Sequence, residues 1–406
     1  QKANVLDIPM DCPTRERAGW TGDICIYADT AVTLFDCYDL LDKWLNEVRI
    51  NQRNDGRIMT INPPVEKDNF LSAFFSASVG FGDACIIVPY TLYKYYKKIE
   101  ILTKNYEMMK KWIGFLEKRA SCSRIETILK YPHDHKYIID IGFDYGEWLE
   151  PGSRSMQVVR DVVFKGHPEI ATAYFAYCTR LMTEIANILG MNEDQDYYKR
   201  LRDKVKSAYQ ILNIPDKQSS LARALNFGLL DNDAEQDAAD KLLQLIKDND
   251  YHPNTGFFST AYLCEELAEY GYVEDAYKLL LQDTCPSWLY PVAKGSTTIW
   301  ETWDGIREDG SVHHSLNHYA YGSVAGWLIR GICGINLQTN GLVIKPHVSK
   351  QLSYAKATYD SPVGKIVSGW EYTEEKLIFK LRYEKGGHRL KLLLYEVQGF
   401  LFMFRI

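Results

Sequence analysis

Residues 21–45 read TGDICIYADTAVTLFDCYDLLDKWL. Ile24, Tyr27, Ala28, Ala31, Leu34, Phe35, Tyr38, Leu41 and Leu45 keep the three-to-four spacing of one helix face, the interval at which a 3.6-residue turn returns to the same side. The same period governs the chain to about Cys333. It predicts helices over Ala84–Tyr96 and Asn105–Leu116, then Glu169–Leu189 with Asp194–Leu212, then Ala234–Asp248 with Ser259–Tyr270. Asn62-Pro63-Pro64, Pro151-Gly152 and Pro253-Asn254 punctuate them, since Pro and Gly interrupt helical backbone. Roughly ten to twelve helices in sequential pairs result, with no repeat clear enough for a solenoid. Paired helices folded into a ring make an (α/α) toroid. First and last helices then become neighbours, and the loops of one rim converge on a central pocket.

Around Gly334 the texture changes. Gly341–His347, Tyr354–Tyr359, Ile366–Tyr372 and Lys376–Tyr383 are short runs rich in Val, Ile and Tyr, separated by Gly, Pro, Ser and Glu. They read as antiparallel strands. The expected division is therefore a helical barrel over 1–334 and a small β-sandwich-like domain over 335–406. Leu392–Leu394 and Phe400–Phe404 are strongly apolar and the tail has no polar cap, so it reads as an edge strand or an altered end.

Composition narrows the function classes. The formal net charge is −6, and Lys and Arg gather only in pairs such as Lys97-Lys98 and Lys110-Lys111, so no nucleic-acid partner is expected. Nine Cys stand without a CxxC pair or zinc-type spacing, so buried free thiols are expected and no metal or cofactor. No apolar run approaches the roughly 18 residues of a membrane span. The N-terminus is neither Met nor a signal-peptide pattern, so the sequence reads as a piece of a longer protein. Aromatic residues reach 13%. Flat rings stack on the apolar faces of sugars, although most aromatics simply fill cores.

Two segments carry chemistry. Asp11-Cys12-Pro13-Thr14-Arg15-Glu16-Arg17-Ala18-Gly19-Trp20-Thr21-Gly22-Asp23 crowds three carboxylates, two guanidiniums and an indole into a stretch that Pro and Gly keep from helix. It is a pocket loop or a surface Arg–Glu network. Ser296-Thr297-Thr298-Ile299-Trp300-Glu301-Thr302-Trp303-Asp304-Gly305 sets Glu301 between two indoles. Apolar neighbours disfavour a charged carboxylate and suit acid/base work, although a carboxylate that accepts indole N–H bonds structurally gives the same pattern. His318, in Asn317-His318-Tyr319-Ala320-Tyr321-Gly322, taken alone fits a core histidine better than a catalytic one. Two carboxylates facing across an aromatic pocket is what glycosidic cleavage requires.

The first segment closely resembles the signature of bacterial α-L-rhamnosidases of glycoside hydrolase family 78, as do Thr298-Ile299-Trp300-Glu301, Asn317–Gly322 and Thr255-Gly256-Phe257-Phe258. The similarity runs in order through most of 7–347. It implies an (α/α)6 barrel followed by a β-sandwich and an inverting, metal-free cleavage of terminal α-L-rhamnose. The partners implied are rhamnose-containing oligosaccharides, polysaccharides or glycosides, and the location periplasmic or secreted. Carried over, Glu16 matches the general acid and Glu301 the general base. Asp11 and Asp23 match acids holding sugar hydroxyls, Trp20 a subsite indole and His318 a sugar-contacting imidazole. Arg15 or Arg17 helps set the loop. Phe81, Asp83, Glu147, Trp148, Trp300 and Arg15 complete the expected substrate contacts. Two positions depart from the family pattern: Glu147 stands where Asp is usual, and Phe81 where Trp is frequent. The β domains that ordinarily precede the barrel lie outside this sequence. Inversion sets the carboxyl groups roughly 6.5–9.5 Å apart. Another helical-toroid glycosidase, a phosphorylase or a lyase stays open on the residues alone, as does a non-catalytic carbohydrate-binding remnant.

Overall fold

Gly19 crosses so close under Asn62 that a Cβ there would meet its carbonyl oxygen at 2.0 Å. This crossing straps the N-terminal loop to residues 60–62, with Asn62 N–H on Gly19 O at 2.9 Å and Thr21 N–H on Thr60 O at 2.8 Å. Helix α1 (Thr21–Leu34) starts from that strap. The computed structural model describes residues 1–64, 76–151, 166–362, 364–374, 376–386, 388–395 and 404–405.

From α1 the chain alternates between an inner and an outer ring. The inner helices are α1, α3 (Ala84–Tyr96), α5 (Pro168–Ile188), α7 (Gln218–Asn226), α9 (Leu263–Glu269) and α11 (Val324–Trp327, running on as a π-helical turn to Ile332). Each packs on the next, and α11 packs back on α1. The outer helices are α2 (Tyr38–Asn51), α4 (Glu100–Ala120), α6 (Asn192–Gln210), α8 (Asn232–Asp248) and α10 (Val273–Leu280), each packed on an inner helix. Sequence decides the layer. Helix α3, ACIIVPYTLYKYY, is apolar nearly all round and mostly buried, whereas α6 buries only the stripe Tyr198, Leu201, Val205, Ala208 and Tyr209. A helix apolar on all sides belongs inside, and one with a single stripe belongs at the surface. The result is the (α/α)6 barrel.

One expected helix is broken. Ser259–Tyr270 divides into Phe257–Thr260 and α9. The hydroxyls of Ser259 and Thr260 bond to Glu147 and to the Gly256 carbonyl, the competition by which Ser and Thr interrupt helices. Pro151-Gly152 falls partly outside the described residues.

Gly334, at φ 73°, turns the chain out of the barrel where a side chain would strike Pro346 N at 2.3 Å. Strands β1 (Ile335–Gln338), β2 (Gly341–Ile344) and β7 (Phe404–Arg405) form one antiparallel sheet. Strands β3 (Tyr354–Ser361), β4 (Gly364–Tyr372), β5 (Leu377–Lys385) and β6 (His388–Tyr395) form an antiparallel meander. Ile366, Ser368 and Trp370 alternate onto its buried face, the period of a strand. Trp370 Nε1 donates to Ile332 O at 2.8 Å and Ser368 Oγ to Cys333 O at 2.6 Å. These bonds fasten the sheet to the end of α11. The nine cysteines are free, and Cys25, Cys37, Cys85, Cys178 and Cys333 are buried as expected. Among the described residues no helix is long and apolar enough to cross a membrane.

Candidate active site

The loop ahead of α1 folds around two buried groups. Asp11 Oδ1 accepts Ala18 N–H at 2.9 Å, and Cys12 Sγ donates to Asp11 Oδ2 at 2.7 Å. Cys12 Sγ in turn accepts Glu16 N–H at 3.3 Å. Burial raises the pKa of the Asp11 carboxyl against the pull of these bonds. With Asp11 and Cys12 fixed inside, Arg15, Glu16 and Trp20 stand over the barrel mouth. Trp20 Nε1 donates to Glu16 Oε2 at 2.8 Å.

Glu301 comes from the other end of the barrel segment. Residues 299–318 form a looped arm held by Glu301 N–H on Ser315 O at 2.9 Å and His318 N–H on Ile299 O at 2.9 Å. Ser315 N–H also donates to Glu301 Oε2 at 2.8 Å. Glu301 is 5% exposed, so this donor and its charged neighbours supply what water would have supplied.

One guanidinium nitrogen joins the two carboxylates. Arg15 Nη2 lies 2.7 Å from Glu16 Oε1 and 2.7 Å from Glu301 Oε1. Two such contacts hold those oxygens no farther apart than their sum, about 5.4 Å. The indoles flanking Glu301 do not enclose its carboxylate as the sequence suggests. Trp300 sends Nε1 to Ser296 Oγ, and Trp303 stacks on Tyr321 with ring centroids 4.0 Å apart.

A cavity of about 470 Å³ opens beneath these groups. Trp20, Phe81, Tyr145 and Trp148 form an aromatic wall, with Phe81 and Tyr145 centroids 4.5 Å apart. Opposite stand Phe257, His318, Asp23 and Asp11. His318 packs on Phe257, accepts Ala320 N–H at Nδ1 and sets Nε2 3.0 Å from Asp23 Oδ1. Burial opposes a charge on this imidazole, but the carboxylate of Asp23 more than offsets it and raises its pKa. Asp23 Oδ1 is buried against this imidazole, so the pair braces one side of the cavity.

Of the twelve residues singled out in the sequence, Asp11, Arg15, Glu16, Trp20, Asp23, Phe81, Trp148, Glu301 and His318 line this cavity. Asp83, Glu147 and Trp300 do not, which corrects their expected role as sugar contacts. Asp83 is fully buried and accepts Gly80 N–H at 2.6 Å and Trp112 Nε1–H at 2.7 Å. It thereby fixes the turn that presents Phe81. Glu147 pairs with Arg223 at 2.8 Å and accepts Ser259 N–H at 2.9 Å, behind the aromatic wall. Trp300 is 2% exposed and packs around Gly305. Tyr145, Phe257 and His314 also line the cavity and were not foreseen. Phe257 sits in a quoted motif, and Tyr145 stands two residues before Glu147, but His314 carries no signal in the sequence. Among the described residues, the one group near enough to share an ion is Asp11, Cys12 and Glu16, and its polar atoms already bond to one another and to the loop.

Inner and outer helix pairs thus surround a carboxylate couple over an aromatic cavity. Residues 1–332 match the bacterial alpha-L-rhamnosidase six-hairpin glycosidase domain, and residues 340–384 the bacterial alpha-L-rhamnosidase C-terminal domain. The chain belongs to the bacterial alpha-L-rhamnosidase family. It is 33% identical over 396 residues to an alpha-L-rhamnosidase of Formosa agariphila, covering 94% of this chain and 40% of that protein. It is 35% identical over 386 residues to one of Streptomyces avermitilis, covering 91% of this chain and 34% of that protein. The crystal structure of a Streptomyces avermitilis alpha-L-rhamnosidase complexed with L-rhamnose superposes with a TM-score of 0.81 at 32% identity, over 94% of this chain and 35% of that one. The chain thus spans well under half the length of these relatives.

Proposed function

We propose that this chain releases terminal non-reducing α-L-rhamnose from glycans or glycosides by acid/base hydrolysis at Glu16 and Glu301. The observation that carries this reading is the meeting of the two carboxylates at one guanidinium, over a cavity walled by Trp20 and Phe81. Glu16 has a side chain 39% exposed. It sits where a leaving group would project toward solvent, which suits the proton donor. Glu301 is held inside by Ser315 N–H, which suits the base that takes a proton from the attacking water. A sugar entering the cavity brings hydroxyls that compete for Arg15, and the departure of its guanidinium from between the carboxylates makes room for that water. A retaining route, with Glu301 as nucleophile, is the alternative to inversion. NMR of the first-formed sugar decides between them: the anomer opposite to the substrate's is expected, and the same anomer would establish retention.

Glu16→Gln is expected to slow hydrolysis of a rhamnosyl disaccharide far more than that of an aryl rhamnoside, whose leaving group needs little protonation. Equal losses on both would remove Glu16 from the acid role. Trp20→Ala is expected to weaken L-rhamnose binding by about 1–3 kcal/mol, read by calorimetry. Undiminished affinity in a folded variant would take Trp20 out of the subsite.

A further inference from the structure

His314 precedes Ser315, the residue that anchors Glu301, and holds φ 54°, a left-handed conformation that few non-Gly residues adopt, Asn, Asp and His most often among them. This backbone turns its imidazole onto the catalytic pair. Nδ1 lies 3.4 Å from Arg15 Nη1 and 3.4 Å from Glu301 Oε1. One nitrogen thus stands between a cation that donates and an anion that accepts, and it can serve only one of them at a time. With a lone pair on Nδ1 it accepts from Arg15. With a proton there it donates to Glu301.

We propose that His314 is a positioning residue that switches the partner of the catalytic base with pH. This rests on the assignment of Glu301 as base. Neutral His314 accepts from Arg15 Nη1, so a guanidinium displaced from the carboxylates by a sugar keeps an acceptor beside the site and leaves the Glu301 oxygen to the water. Protonated His314 repels Arg15 and occupies the Glu301 oxygen that must take a proton from water. Turnover then stops although both carboxylates remain in place. Arg15 and Glu16 face His314 from the N-terminal loop, and Glu301 faces it from the other limb of its own arm. Asp11, Asp23 and His318 stand deeper in the same cavity. His313, its chain neighbour, is half-buried, and His314 itself is exposed.

The test is the pH profile of kcat and KM on an aryl α-L-rhamnoside for the wild type and His314→Asn. Asn tolerates positive φ and keeps an acceptor for Arg15, but it does not titrate. The variant is expected to lose about threefold in kcat at pH 7, with KM little changed. Its acid limb should move down by at least about one pH unit. His314→Ala, which lacks the acceptor, should lose at least about tenfold in kcat, and Asn should restore most of that loss. An acid limb in the same place in His314→Asn would overturn the proposal, and Glu16→Gln and Glu301→Gln would still report on the acid/base assignment. Were the chain inactive on every rhamnoside, the imidazole would be followed by NMR instead. Glu301→Gln should then lower the His314 midpoint and Arg15→Met raise it, because each variant removes one facing charge. A midpoint indifferent to both would overturn the proposal in that case as well.

Discussion

Glu301→Gln is expected to lower kcat on an aryl rhamnoside by about 10²–10⁴-fold, the range for removing a general base. The amide oxygen can keep the bond from Ser315 N–H, with the amide nitrogen turned toward Arg15, so the arm and the cavity survive and L-rhamnose should still bind. What disappears is the lone pair that takes the proton of water. Azide, a nucleophile that needs no deprotonation, should therefore restore part of the turnover and give a rhamnosyl azide. A variant that keeps more than a tenth of wild-type kcat would mean that Glu301 is not the base, whatever its neighbours suggest.

Arg223→Met is expected to cost about 3–5 kcal/mol of stability, read by urea unfolding. Arg223 is buried on α7 and serves two carboxylates at once, Glu147 at 2.8 Å and Glu169 at 2.6 Å, with Ser259 Oγ at 2.9 Å. Removing the cation leaves both acids buried without a counter-charge, which costs more than the pair itself contributes. The loss should deepen with rising pH. Burial already raises the pKa of Glu147 while Arg223 holds it down. In the variant Glu147 keeps its proton in the folded state over a range in which the unfolded chain has shed it. Stability therefore falls as pH climbs from the ordinary carboxylate range toward neutrality. A penalty below about 1 kcal/mol, or one independent of pH, would show that the three charges do not act as a unit. Because Glu147 also precedes Trp148, a displaced aromatic wall should raise KM in any folded fraction.

The helices were legible where the apolar period was strong. Helix α3 occupies Ala84–Tyr96 as the spacing predicts, and the change in texture at Gly334 coincides with the passage from α11 into β1. Legibility failed where side chains rather than periodicity decide. The hydroxyls at Ser259 and Thr260 cut one helix, and the pattern of apolar residues is blind to them. Within the site, the charged loop and Glu301 could be found because acids beside indoles are conspicuous. The direction of each side chain could not. Trp300 adjoins Glu301 in the chain but packs against Tyr290, and Asp83 precedes a helix but turns inward to Trp112. His314 was invisible for a related reason. Its importance lies in a contact with Arg15, 299 positions away, that only the closed ring creates.

That closure has a consequence for translation. Helix α11 meets α1 through Thr30 Oγ1, which donates to Ser323 O at 2.7 Å, and the arm bearing Glu301 lies just ahead of α11. A chain leaving the ribosome carries Glu16, the proposed proton donor, near the start of the helical region but gains Glu301, the proposed base, only near the end. Until the last inner helix emerges and seats against the first, Glu16 and Arg15 cannot meet Glu301 and the cavity lacks a side. The two carboxylates come together only when the final inner helix of the barrel is in place.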